Sequence, residues 1–400
     1  MTNFPSKSRN RPLHAGCSAL LFLGTISLLL TGCRPHDFPT YPANYREYLY
    51  VTNGGSNTVT VLDVVNVRLD RTIRVGNNPT GIAINTKRNE VYVVNSGSNS
   101  VSVINTEKNA VVATIPVHQR PYFISVSTDG TRAYVANSGS NNVSVLDLDK
   151  RREIAVIGVG ESPGEAVISP DGRTLVVSNR RSNSVSVVDA KSLRVRSVFS
   201  GCPGATDIAI LPHSEKAFIA CSGGHQVMVL ALAVTPTPAQ TNSGLPTKDA
   251  LLDLLDVGKT PVHLALKPDS GEIFVSNFGS NSISEIDTGT NEVGGAYIVG
   301  ANPSNGIVSA DNSTLYVSNF GAESLSIFSV DEAQLVGSAR AGDGPDGLAF
   351  SAVGHLLFAV DSRSGDVAVI RTLTHTLFTM LPTGSKPNAI VDKAFTVRSL

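Results

Sequence analysis

Three features predict an all-β fold assembled from repeated sheets. A tetrapeptide recurs eight times, each copy lies among short β-branched runs, and no stretch shows apolar residues at helical spacing. The copies are Tyr50-Val51-Thr52-Asn53, Tyr92-Val93-Val94-Asn95, Tyr134-Val135-Ala136-Asn137, Val176-Val177-Ser178-Asn179, Phe218-Ile219-Ala220-Cys221, Phe274-Val275-Ser276-Asn277, Tyr316-Val317-Ser318-Asn319 and Phe358-Ala359-Val360-Asp361. Every step between them is 42 residues except one of 56. A single unit of this size cannot bury its apolar faces alone, so the copies must stack. Four antiparallel strands in about 40–45 residues, repeated radially, make the blade of a β-propeller.

Each element of the unit has a local reason. Gly81-Ile82-Ala83-Ile84 is a short apolar first strand, and Val91-Tyr92-Val93-Val94 a second. Ser100-Val101-Ser102-Val103-Ile104 alternates with period two as a third strand, and Val111-Val112-Ala113-Thr114-Ile115 is the fourth. Between first and second strands, Ser127-Thr128-Asp129-Gly130 and Ser169-Pro170-Asp171-Gly172 supply turn chemistry, proline presetting φ and glycine accepting the left-handed position. The chain has no tryptophan, which excludes WD-type blades. A β-solenoid is the competing geometry, but its repeats are shorter and its coils parallel.

Ring closure is also legible. The chain enters at a second-type strand, Tyr48 to Asn53, and ends on a first-type strand, Lys386 to Val391, with no blade after it. Pairing these two removes two open edges. Eight blades are predicted; seven is the alternative, with one repeat displaced from the ring.

The Tyr-Val-x-Asn signature, followed by Ser/Gly-Ser-Asn-x-Val-Ser-Val-Ile/Leu-Asp, resembles the YVTN-type β-propeller repeat family over residues 48–392. That resemblance implies kinship with surface-layer and envelope proteins and, more distantly, with lactonase-type propellers. Such relatives usually have seven blades, so eight is a departure. Propellers host unrelated chemistries, and the fold alone does not give a function.

The N-terminus reads as a targeting segment. Lys7, Arg9 and Arg11 precede an apolar stretch from Leu13 to Leu30, and Leu30-Thr31-Gly32-Cys33 resembles a bacterial lipobox. That resemblance implies a signal peptide over 1–32 and lipidation of Cys33; an uncleaved anchor is the alternative. Residues 33–47 are then a proline-rich tether, and 48–400 one propeller domain with an inserted loop at 235–250. Asp is absent immediately after Cys33, so the lipoprotein family's inner-membrane retention signal is not matched, and an outer-membrane, periplasmic or outward-facing location is expected. Losing the three leading bases leaves 29 basic against 33 acidic residues, which argues against generic nucleic-acid binding. Cys202 and Cys221 fall at the same end of one hairpin, where an exported protein could form a disulfide; a buried thiol at Cys221 is the alternative.

In a propeller, the fourth-to-first and second-to-third connections share one end of the channel. Asn53, Asn95, Asn137, Asn179, Asn277 and Asn319 are expected there in a structural role, as residues that accept left-handed backbone and tie the following turn. Two residues beyond the first-strand proline position stand Gly81, Phe123, Glu165, Asp207, His263, Asn305, Gly347 and Ala389. Glu165, Asp207, His263 and Asn305 therefore form the candidate ligand or metal site at the channel mouth. Carboxylate and amide oxygens suit Ca²⁺ or another divalent cation, and His suits zinc or acid–base work. The bland reading is solvated polar residues, some paired with Arg120 or Lys259. No cofactor is implied otherwise. The expected function is a lipid-anchored, non-catalytic scaffold for an envelope protein or glycan; a lactonase- or lyase-like hydrolytic enzyme is the alternative.

Overall fold

The computed structural model describes residues 38–234 and 246–397, so the segment read as a signal peptide, Cys33 and most of the inserted loop lie outside the described residues. The remainder is all strand and turn, with no helix among the described residues. Thirty-two strands form eight four-stranded antiparallel sheets there, numbered here as blades 1 to 8 in chain order. The inner strands of blades 2 to 8 are Pro79–Ile84, Pro121–Val126, Pro163–Ile168, Ala205–Ile210, Pro261–Leu266, Pro303–Val308 and Pro345–Phe350. Each adjoins the next, and the terminal strand Pro387–Thr396 closes the circle between blades 8 and 2. The count is eight, not seven.

Blade 1 joins the two chain ends. Tyr45–Asn53 pairs antiparallel with Pro387–Thr396, from Tyr45 opposite Thr396 to Asn53 opposite Pro387. The seam is longer than the sequence suggests: the first strand starts at Tyr45, not Tyr48, and the last runs to Thr396, not Val391. Three residues assigned to the tether are thus strand.

Second strands carry the packing between blades. Tyr50, Tyr92, Tyr134, Phe218, Phe274, Tyr316 and Phe358 are at most 2% exposed. Burying each is worth about 2–3 kcal/mol. Tyrosine hydroxyls find partners, as buried hydroxyls must: Tyr50 donates to Asn109 of blade 2, and Tyr316 meets His375 Nδ1 of blade 8 at 2.8 Å.

The signature asparagines close each blade from within. Their amides are buried, and each Nδ2 donates to side chains five and seven residues on: Asn53 to Thr58 and Thr60, Asn95 to Ser100 and Ser102, Asn137 to Asn142 and Ser144. Asn179, Asn277 and Asn319 do the same with Ser184 and Ser186, Ser282 and Ser284, Ser324 and Ser326. The left-handed residue is not this asparagine but the one four positions later, at Asn57, Asn99, Asn141, Asn183 and Asn281. That corrects the expectation: the conserved spacing serves a buried amide, and the backbone strain sits at the loop's end.

Two repeats depart from the pattern. Blade 5 has Cys221, which is disulfide-bonded to Cys202 across 19 residues, and blade 8 has Asp361. Asp361 is fully buried; burial, then the neighbouring Asp366, pushes its carboxyl up to about 8. A raised carboxyl pKa gives stability that is fully present below about pH 4 and is lost as pH rises toward 8. Asp361→Asn restores the repeat's amide with Asp366 as acceptor. It should raise stability at pH 7–8 by on the order of 1–2 kcal/mol, and by less below pH 5. Thermal melts across that range check this; parallel pH profiles for wild type and variant would contradict it.

Candidate functional site

Every blade has a β-bulge where its inner strand leaves the mouth, between the proline position and the residues two or three beyond it. In blades 4 and 5 the ladder skips from Pro163 to Ala166 and from Ala205 to Ile208. Bulges re-aim side chains and leave residues unpaired. Here they turn Glu165 and Asp207 toward the channel. A cavity of about 570 Å³ opens there, lined among others by Tyr122, Glu165, Arg180, Asp207, His263 and Asn305.

Three of the four expected residues form one hydrogen-bonded row across blades 4, 5 and 6. His263 Nδ1 lies 2.9 Å from Asp207 Oδ2, and its Nε2 lies 3.0 Å from the Gly306 carbonyl. Asp207 also accepts the Leu264 N–H at 2.7 Å and the Ile208 N–H at 3.0 Å. Glu165 joins the row through the Ile208 N–H, which donates to its Oε2 at 3.3 Å as well as to Asp207. Asn305 lines the same cavity but stands outside the row; its backbone carbonyl accepts from Ser318. The ionisable groups pair with one another and not with Arg120 or Lys259.

The protonation pattern follows from the partners. A carbonyl and a carboxylate can only accept, so both His263 nitrogens donate and the ring is an imidazolium. Burial alone would lower the His263 pKa, but the Asp207 charge and hydrogen bond raise it. Burial likewise works against an ionised Asp207, yet His263 and the Leu264 N–H hold its pKa low. Glu165 goes the other way: burial first, then the Asp207 charge, pushes it well up, against the opposing pull of Arg180.

Among the described residues, no three His, Cys, Asp or Glu side chains converge as metal ligands. What sequence reading missed is Arg180, at the position after a signature asparagine and in the same cavity. Its carbon Cζ sits 4.4 Å from the Tyr122 ring centroid. Arginine at 180, where the other loops have glycine, serine or phenylalanine, was the available signal.

Residues 28–169 match the family model described as YNCE-like β-propeller, and residues 290–378 that of lactonase, a 7-bladed β-propeller. The chain is similar to both families. These matches agree with the YVTN and lactonase-like resemblance read from the repeats, although neither covers Asp207 or His263. No curated protein matches the chain. Among solved structures, dihydro-heme d1 dehydrogenase NirN in complex with DHE is similar at TM-score 0.71 and 16% identity, over 90% of this chain and 77% of that one. Citrobacter koseri AztD gives 0.66 and 13%, over 89% and 100%. Kuenenia stuttgartiensis hydrazine synthase gives 0.55 and 21%, over 71% and 92%. At these identities the likeness is one of fold.

The row has a pH signature. The raised His263 pKa gives stability present below about pH 6.5 and lost as pH rises through its folded value. The lowered Asp207 pKa gives stability present above about pH 4 and lost as pH falls. Asp207→Asn should therefore destabilise most between about pH 4 and 7. It should also drop the His263 titration midpoint, read by the ring proton shifts in NMR. An unchanged midpoint would contradict the pairing.

Proposed function

We propose that the protein is a lipid-anchored, extracytoplasmic propeller that binds an envelope protein or glycan at its channel mouth without turning it over. The observation that carries this reading is the saturation of the Glu165–Asp207–His263 row. A general base needs a free lone pair facing a substrate, and both His263 nitrogens are turned to acceptors. Around the row, Thr80, Thr206, Ser222, Ser304 and Asn388 line the wall with hydroxyl and amide groups, suited to a polar ligand. The first strand begins at the end of the ring opposite the mouth. The lipobox resemblance at Cys33 supports the anchor.

A hydrolytic reading draws on one feature, the Asp207 carboxylate that orients His263 as in acid–base pairs. The discriminating experiment uses immobilised mature protein, envelope extract and a lactone assay. Asn305→Trp, which plugs the mouth, should cut partner capture at least tenfold without lowering the melting temperature. A palmitate analogue should label wild type and not Cys33→Ala. Lactone turnover that vanishes in His263→Gln would replace this reading with the hydrolytic one.

A further inference from the structure

Blade 4 departs from the other seven at two positions together. It alone carries arginine after the signature position, where the others have Gly54, Ser96, Ser138, Ser222, Phe278, Phe320 and Ser362. It alone has glycine one residue beyond the inner-strand proline position, where the others have Thr80, Tyr122, Thr206, Val262, Ser304, Asp346 and Asn388. The structure links the two. A Cβ on Gly164 would stand 2.6 Å from Arg180 Nε, so the missing side chain is the berth in which the arginine lies. On the other side, Tyr122 of blade 3 offers its ring to the guanidinium at 4.4 Å.

This berth leaves the cation without an anion. Arg180 Nε is buried with no hydrogen-bond partner, and no ion pair to the side chain exists among the described residues. The adjacent acid is Glu165, which burial and Asp207 push toward its neutral form although Arg180 pulls the other way, and it makes no ion pair with the arginine; the Asp207 charge is met by His263. A buried donor left unpaired costs about 1–3 kcal/mol. A guanidinium over an aromatic ring, lining a cavity and with no ion pair, is a built receptor for an oxyanion.

We infer that Arg180 holds the carboxylate of a small monoanionic ligand at the channel mouth, with Tyr122 as its platform; this rests on the mouth-binding reading above. One unmatched positive charge fits a carboxylate. A dianionic phosphate would bring a second negative charge up against Glu165 and Asp207. The Tyr122 ring, 39% exposed, gives an attached flat group a surface to lie on.

The test uses the full chain with benzoate, acetate and inorganic phosphate as probes, read by thermal shift and calorimetric titration. Benzoate should bind and raise the melting temperature, acetate more weakly, and phosphate not at all. Arg180→Gln and Gly164→Ala should each weaken benzoate at least tenfold. Arg180→Lys keeps the charge without the planar fork and should fall between wild type and Arg180→Gln. Benzoate binding that survives Arg180→Gln but not Asn305→Trp overturns the inference and leaves the mouth reading standing. Binding that survives both overturns the inference and counts against the mouth as well. No binding of either carboxylate, or phosphate binding as tight as benzoate, also overturns it.

Discussion

The structure depends on one antiparallel pairing between strands more than 300 residues apart, Tyr45–Asn53 and Pro387–Thr396. Every other sheet is made of consecutive strands, which close short loops and cost little entropy. The seam alone converts a row of stacked sheets into a ring. Without it, blades 1 and 8 would present open edges, and the channel would have no closed wall. The charged and aromatic residues argued to act at the mouth come from blades 3 to 6, and their convergence requires that wall.

Within each blade, stability is divided between apolar packing and one buried amide. The second-strand aromatic fills the space between sheets, and the signature asparagine ties its own hairpin through two hydroxyl or amide side chains. This explains why the repeat fixes residues at the asparagine and at five and seven positions beyond it. Where the asparagine is replaced, its partners change too: Cys221 faces Gln226 and Met228, and Asp361 faces Asp366 and Ala368. The pair Cys202–Cys221 then supplies covalently what the amide network supplies elsewhere. Closing a loop of that size is worth about 3 kcal/mol in the chain-entropy view.

Much of the fold was legible because a period of 42 residues is a strong constraint: it gave the blade, the count and the closing strand. Strand ends were less so, since Tyr45 to Glu47 carry no alternation that marks them as paired; their partner lies at the far terminus. The site was legible in part. Overlaying the repeats singled out Glu165, Asp207 and His263, because polar side chains at an otherwise small or apolar position stand out. Their chemistry was not legible. That Nε2 of His263 turns to the Gly306 carbonyl depends on backbone geometry at a bulge. The Arg180 berth was hidden for a similar reason, since the link between positions 164 and 180 runs through space, across two strands of one sheet.

Hydrogen exchange on the first strand tests the closed ring most directly. In the full chain, the amides of Tyr50 to Thr52 should be protected as strongly as the matching amides Tyr92 to Val94 of blade 2. Deleting residues 385–400 should strip that protection from Tyr50 to Thr52 first and then from blades 8 and 2. Equal protection of Tyr50 to Thr52 before and after the deletion would show that the terminal strand does not hold the ring, and the shared mouth would lose its basis.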